Sequence, residues 1–295
     1  MTTMRITDNL QAAALQQNVQ TSLTTLNTIQ QEISSGKQLN SPSDDPAGTA
    51  QDLALRESLL NNAQYENDAN NASDFLKTTD TALSSAGSLL SQVRQIAVQG
   101  ANGGFLSQDN LNALADQVDS AIQQLTNIAN TNLHGKYVFG GAQTQTAPYA
   151  GSPPTYQGDE GAVVANIGPG QTLTLNSPGS NQSLFGDTFS ALQTLKSDLQ
   201  AGDSTAVSND ITAIDTRITA TSAAQAAVGA KTNQVTAVTQ NLQRLDTEYQ
   251  SAQSSIEGVD LTQAYVQLQS AQNVYQASLV SVSKAYQYSL ADYLG

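Results

Sequence analysis

The chain has 295 residues, with 11 Lys and Arg against 25 Asp and Glu, one His, and neither Cys nor Trp. Net charge is −14 and only 12% of residues are charged, about half the usual share, so uncharged Ser, Thr, Asn and Gln must cover the surface. These numbers exclude a disulfide framework, a thiolate nucleophile, a Cys-ligated metal, a His triad for a metal, and general nucleic-acid binding by phosphate neutralisation.

In chain order, residues 1–25 hold no apolar stretch resembling a secretory leader, and apolar runs are nowhere longer than a few residues, so no membrane-spanning helix is expected. From 8 to 36, Ala12, Leu15, Val19, Ser22, Leu26, Ile29 and Ile33 are spaced three and four apart, the seam of a coiled coil. Thr7 or Asp8 is expected to cap this helix and Gly36 to end it. A second helix is expected from about 46 to 99, where Phe75, Ala82, Leu89 and Ile96 lie seven apart, with a break at Gly100 and Gly103-Gly104. A third opens at Ser107 and carries Leu111, Leu114, Val118, Ile122, Leu125 and Ile128.

The middle differs. Between Tyr137 and Leu195 there is no Lys or Arg, and short alternating runs at Tyr137–Phe139, Ala162–Ile167 and Gln171–Leu175 read as strands. Gly168-Pro169-Gly170 and Ser177-Pro178-Gly179 read as turns. Phe185, Phe189, Leu192, Leu195 and Leu199 then resume helical spacing. Val207, Ile214, Thr221, Val228, Val235, Leu242, Tyr249 and Ile256 follow as eight positions seven apart, a helix ~80 Å long. The last helix starts at Asp260, its N-cap, and repeats the seam with Leu261, Tyr265, Leu268, Gln272, Tyr275, Leu279, Val282, Tyr286, Ser289 and Tyr293.

The fold class is therefore mainly α: nested long helices forming a coiled-coil rod, with a small inserted β domain. Residues 1–45 with 259–295 form the terminal coiled-coil assembly domain, 46–136 with 190–258 the long-helix domain, and 137–189 the β-rich outer domain. A lone terminal helix pair buries a narrow stripe and is marginal by itself, so it is expected to be disordered in a monomer and covered by further copies of the chain on assembly.

No catalytic constellation competes with this reading. Asp44-Asp45 precedes Pro46, the grammar of a capped helix start, and Asp159-Glu160 sits in a Gly-rich turn. His134 stands alone before Gly135-Lys136, no G-x-S-x-G elbow occurs, and the Gly-rich segment 100–104 lacks the Lys-Ser/Thr of a phosphate loop. The chain is expected not to be an enzyme, with no catalytic residue, metal or cofactor. The basic residues stand singly, and the first helix lacks the Lys and Arg of a membrane-surface helix, so no membrane docking is expected either.

The segment Ile33-Ser34-Ser35-Gly36-Lys37-Gln38-Leu39-Asn40-Ser41-Pro42-Ser43-Asp44-Asp45-Pro46-Ala47-Gly48, after Arg5-Ile6-Thr7 and Leu10, resembles the N-terminal signature of bacterial flagellins. Asn132-Leu133-His134-Gly135-Lys136-Tyr137-Val138-Phe139-Gly140-Gly141, with Gln143-Thr144, Ala147-Pro148-Tyr149 and the closing Ser289-Leu290-Ala291-Asp292-Tyr293-Leu294, is similar to the hook-filament junction branch of that family. The resemblance covers roughly 1–136 and 190–295. It implies a structural component of the bacterial flagellum that joins hook to filament by self-assembly through its terminal helices; the alternative is a filament subunit, flagellin. It further implies an extracellular location, export unfolded through the flagellum's own type III apparatus, and an export chaperone on the C-terminal helix. The other partners implied are itself, a neighbouring hook-associated protein and flagellin. Leu15, Val19, Leu26, Ile29 and Ile33 are then expected to pack on Leu268, Tyr275, Leu279, Val282 and Tyr286 within and between subunits.

Overall fold

A computed structural model of the chain describes residues 2–102, 106–176 and 182–294, with the backbone alone for 2–9, 11–12 and 285–294. The helices are α1 (Thr2–Ser35), α2 (Pro46–Ala101), α3 (Gln108–Ala129), α4 (Asp187–Ala201), α5 (Ser204–Glu257) and α6 (Leu261–Leu294). The strands are β1 (Asn132–Leu133), β2 (Lys136–Tyr137), β3 (Tyr149–Ala150), β4 (Thr155–Tyr156), β5 (Val164–Gly168) and β6 (Gln171–Thr174). They pair as three separate antiparallel hairpins, β1–β2, β3–β4 and β5–β6. The expected mainly α architecture with a small inserted β region is what the chain adopts. Its contacts divide it into two units, residues 1–60 with 246–295 and residues 61–245.

The second unit holds the main core, and heptad spacing explains its composition. Val207, Ile214, Thr221, Val228, Val235 and Leu242 of α5 are all buried, as are Phe75, Ala82 and Leu89 of α2 with their neighbours Leu76, Leu83 and Leu90. Residues seven apart return to nearly the same face of a helix, so one stripe from each long helix closes against the others. Leu111, Leu114, Val118, Ile122 and Leu125 of α3 complete the layer with Leu192, Leu195 and Leu199 of α4. Ser107 caps α3 by accepting the Asn110 amide (3.3 Å). The polar Thr221 sits in this core because its hydroxyl donates to the Arg217 carbonyl (2.8 Å).

Two expected helix boundaries differ. α1 is helical from Thr2, so Thr7 and Asp8 lie inside it rather than at its cap. No Gly or Pro precedes them to stop the helix from propagating. α2 does not break at Gly100 but runs through it to Ala101. A Cβ at residue 100 would collide with Leu199 Cδ2 of α4, so this glycine serves close packing. Residues 103–105, and with them the Gly103-Gly104 part of that break, lie outside the described residues.

The β region is only partly where alternation put it. The Tyr137–Phe139 run is a strand only at Tyr137; Val138 and Phe139 instead turn into the core, where Phe139 meets Phe185 edge-on (centroids 4.8 Å apart). β5 and β6 lie within a residue or two of the expected runs, joined through Pro169-Gly170. The Ser177-Pro178-Gly179 turn lies outside the described residues. β1, β3 and β4 were not expected, each being two residues long. Side chains hold the region together more than ladders do. Asn130 at the end of α3 donates to the Tyr149 carbonyl (2.8 Å) and accepts the Tyr149 amide (2.9 Å), standing in for a strand. Asn176 spans Val163 N–H and Gly161 C=O (both 2.8 Å), and Lys231 Nζ of α5 donates to the Leu175 and Asn176 carbonyls (3.2 and 2.6 Å).

Candidate assembly interface

The first unit is built from α1, α6 and the adjoining ends of α2 and α5. Gly36 ends α1 in the left-handed region (φ +71°), and the chain then runs beside the end of α5. Gln38 N–H donates to Glu257 C=O (2.8 Å), Gln38 Nε2 to Ile256 C=O (2.8 Å), and Val259 N–H to Gly36 C=O (3.2 Å). The end of α1 is thereby pinned beside the start of α6, and the two helices pack antiparallel. Asp260 caps α6 by accepting the Thr262 and Gln263 amides (2.9 and 3.2 Å). Asp45 caps α2 through the Ala47 amide (3.0 Å), and Asp44 accepts the Ser41 amide (2.7 Å) in the preceding turn. The expected capping is met by Asp45, while Asp44 braces the turn that leads into the helix.

An ion network locks this junction. Glu257, buried, takes Lys37 Nζ on one oxygen and Arg56 Nη2 on the other (both 2.5 Å); Arg56 Nε reaches Asp52 (2.7 Å), also buried. Gln253 Nε2 donates to both carboxylates at 3.0 Å. The Lys37 hydrogen bond, opposed by burial and reinforced by Arg56 and Gln253, holds the Glu257 carboxyl at a pKa of about 2. Its two partners raise the Arg56 guanidinium further above its ordinary value. No single stretch of sequence signals this network, because its members come from the connector, α2 and α5.

Of the seam residues expected from heptads, Leu15, Val19, Leu26 and Ile33 of α1 are half-buried and Ile29 is buried. On α6, Leu268, Tyr275 and Val282 are half-buried in register with buried Ala264. Leu279 is the most open of them, at 43% exposed, while its neighbour Ser278 is half-buried. Tyr265 is likewise turned outward, at 58% exposed. The side chain of Tyr286, with those of Ser289 and Tyr293, lies outside the described residues.

α6 carries more apolar surface than this seam uses. At 3.6 residues per turn, Val266 and Val280 lie roughly opposite the Ala264–Leu268–Tyr275–Val282 seam, and Val274 lies to one side of it. All three are more than half exposed. A helix apolar on several faces is one meant to be buried on several faces.

The remaining candidates have structural roles. Asp159 accepts the Ala142 and Gly161 amides (2.6 and 2.9 Å), the Gly161 bond chief among those that lower its pKa, while Glu160 is exposed. His134 forms the β1–β2 turn with Gly135, both at positive φ (50° and 81°). Among the described residues no three His, Asp or Glu side chains converge as a metal site, and no helix is long and apolar enough to cross a membrane.

Two family models match the chain: the bacterial flagellin N-terminal helical region over residues 6–144 and the bacterial flagellin C-terminal helical region over residues 211–294. Between them, 145–210, lie β3 to β6 and α4. Flagellar hook-associated protein 3 of Salmonella typhimurium is 28% identical over 151 residues, 51% of this chain and 47% of that protein. Flagellin of Listeria monocytogenes is 30% identical over 128 residues, 43% of this chain and 44% of that protein. The chain thus spans about half the length of the curated relatives it matches. A Vibrio parahaemolyticus structure assigned as a flagellar hook-associated protein superposes with a TM-score of 0.67 at 20% identity, covering 73% of this chain and all of that one. With both helical regions matched in order around the inserted β hairpins, the chain belongs to the flagellin family.

Proposed function

We propose that the chain is a structural adaptor of the bacterial flagellum, joining hook to filament by self-assembly through α1 and α6. The carrying observation is the exposed apolar surface of α6, with Val266, Val274, Leu279 and Val280 uncovered in a single copy. Neighbouring copies would cover them; each is about half exposed, so its burial contributes about half of the ~1.5–3 kcal/mol of a fully exposed side chain. The likeness to proteins named hook-associated protein 3 supports the junction over the filament; flagellin is the alternative, supported by the Listeria relative.

In this reading Leu15, Val19, Leu26, Ile29, Ile33, Leu268, Tyr275, Leu279, Val282 and Tyr286 make the contacts within and between subunits. The β-rich segment 137–189 faces outward, and the chain performs no catalysis. Its partners are copies of itself, a hook-associated protein and flagellin. It reaches the flagellum outside the cell by the flagellar export apparatus, with a chaperone on α6. Incubating the purified full chain under conditions that polymerise flagellin tests the choice. Short or no assemblies are expected, whereas long helical filaments from this chain alone would make it the filament subunit.

A further inference from the structure

Among the described residues β5 pairs with β6 on one side only. The Leu175 amide donates to the Val163 carbonyl (2.8 Å), which fixes the phase of the ladder. In an antiparallel pair, hydrogen-bonded and non-bonded positions alternate, so Ala165 faces Leu173 with its amide and carbonyl, while those of Val164 and Asn166 point to the outer edge. Among the described residues no hydrogen bond reaches that outer row. It is not open to bulk solvent alone: successive residues 162–166 line a groove of about 680 Å³ with Asp68, Phe75 and Asp74 of α2 opposite. Side chains on a strand alternate between faces, so five consecutive residues on one groove mean that the strand is presented edge-on. An unpaired edge is a template for another strand, and proteins ordinarily cover or charge it.

We propose that this groove is a strand-addition site, in which an extended polypeptide pairs with the outer edge of β5. The proposal is independent of the junction reading. The groove specifies the occupant's chemistry. Backbone pairing to Val164 and Asn166 demands an extended main chain with free amides on one edge. Phe75, with 8% of its surface still open at the α2 wall, offers a small apolar contact. Asp68 and Asp74, six residues and ~9 Å apart on that helix, favour a cation beside it. Among the described residues Asp68 accepts from Gln64 (3.1 Å) and has no cationic partner, while Asp74 pairs with Lys77 at 3.7 Å. His134 and Lys136 stand among the other lining residues, where Lys136 favours a polar or acidic neighbour on the occupant.

The test uses the full chain and a capped octapeptide of alternating valine and threonine with one central lysine. Its twin is N-methylated along one edge. Saturable binding is expected, with slowed hydrogen exchange at Val164 and Asn166 and at least tenfold weaker binding of the twin. Val164→Pro removes an outward N–H while leaving the β5–β6 ladder its donors, so it should weaken binding at least tenfold; Val164→Thr should not. Asp68→Asn should narrow the preference for the lysine peptide over an all-threonine one. Equal binding of both twins, protection away from β5, no peptide binding up to millimolar concentration, or binding of a neutral oligosaccharide in place of the peptide would each overturn the proposal. The exchange measurement on the unaltered chain decides the matter even if the proline variant loosens the hairpin.

Discussion

Glu257 and Asp210 are both buried carboxylates, but their surroundings differ in sign. Glu257 is held near pKa 2 against an ordinary 4.5, first by Lys37. Between these values the folded chain binds fewer protons than the unfolded one, so the stability it contributes is complete above pH 4.5 and is lost as pH falls through 2. Asp210 has the opposite environment: burial first, then the charge and hydrogen bond of Asp198, raise it to about 6 from 3.8, and among the described residues its Oδ2 has no hydrogen-bond partner. Here the folded chain binds more protons, so the stability present below pH 3.8 declines as pH rises through 6. Thermal melts should show this. Asp210→Asn should be more stable than the parent at pH 7, by roughly 1–3 kcal/mol, with the gain vanishing near pH 4. Glu257→Gln should lose stability at pH 7 and flatten the acid limb below 4.5. A destabilised Asp210→Asn at pH 7 would refute the first assignment. Neither role was legible in the sequence, since Asp210 and Glu257 meet their partners through tertiary packing. The capping aspartates Asp45 and Asp260 were legible, because a cap acts on amides two or three residues away.

Among the elements, the long helices were read from spacing alone, and the reason is physical. A stripe that repeats every seven residues can be buried only by a long helix against other helices, so Val207 through Leu242 announced both element and face. The β hairpins were legible only where alternation was long enough, at β5 and β6. Strands of two residues carry no periodicity, and their anchors are isolated polar side chains. Asn130→Ala should therefore do disproportionate damage, removing both of its hydrogen bonds to the Tyr149 backbone at a cost of about 1–3 kcal/mol. Chemical denaturation would measure it, and a loss confined to Tyr149 and its neighbours would show as local hydrogen exchange. Leu192→Ala, a deletion in the fully buried core, should cost ~2–5 kcal/mol and destabilise the whole second unit. In the monomer, α1 and α6 share one narrow seam whose polar members include Ser22 and Gln272. Their amides should exchange much faster than those of α2 and α5 and become protected on assembly; equal protection in the monomer would contradict this.

At the level of the whole molecule, the sequence showed which helices pair but not which apolar side chains remain outside the pair. Leu279 illustrates the difference. Heptad counting put it on the seam, while the structure leaves it 43% exposed, more open than Leu268, Tyr275 and Val282. Leu279→Asp should accordingly leave the melting of the second unit unchanged while abolishing assembly and motility, and Leu26→Asp should do the same. With so few charged residues, assembly should change little between low and moderate salt, which light scattering would follow. The most direct test of the junction role is electron microscopy of a strain lacking this chain, with flagellin assayed in the medium. The account predicts hooks without filaments and unpolymerised flagellin released outside the cell. Filaments of normal length, or filament loss with no flagellin released, would contradict it.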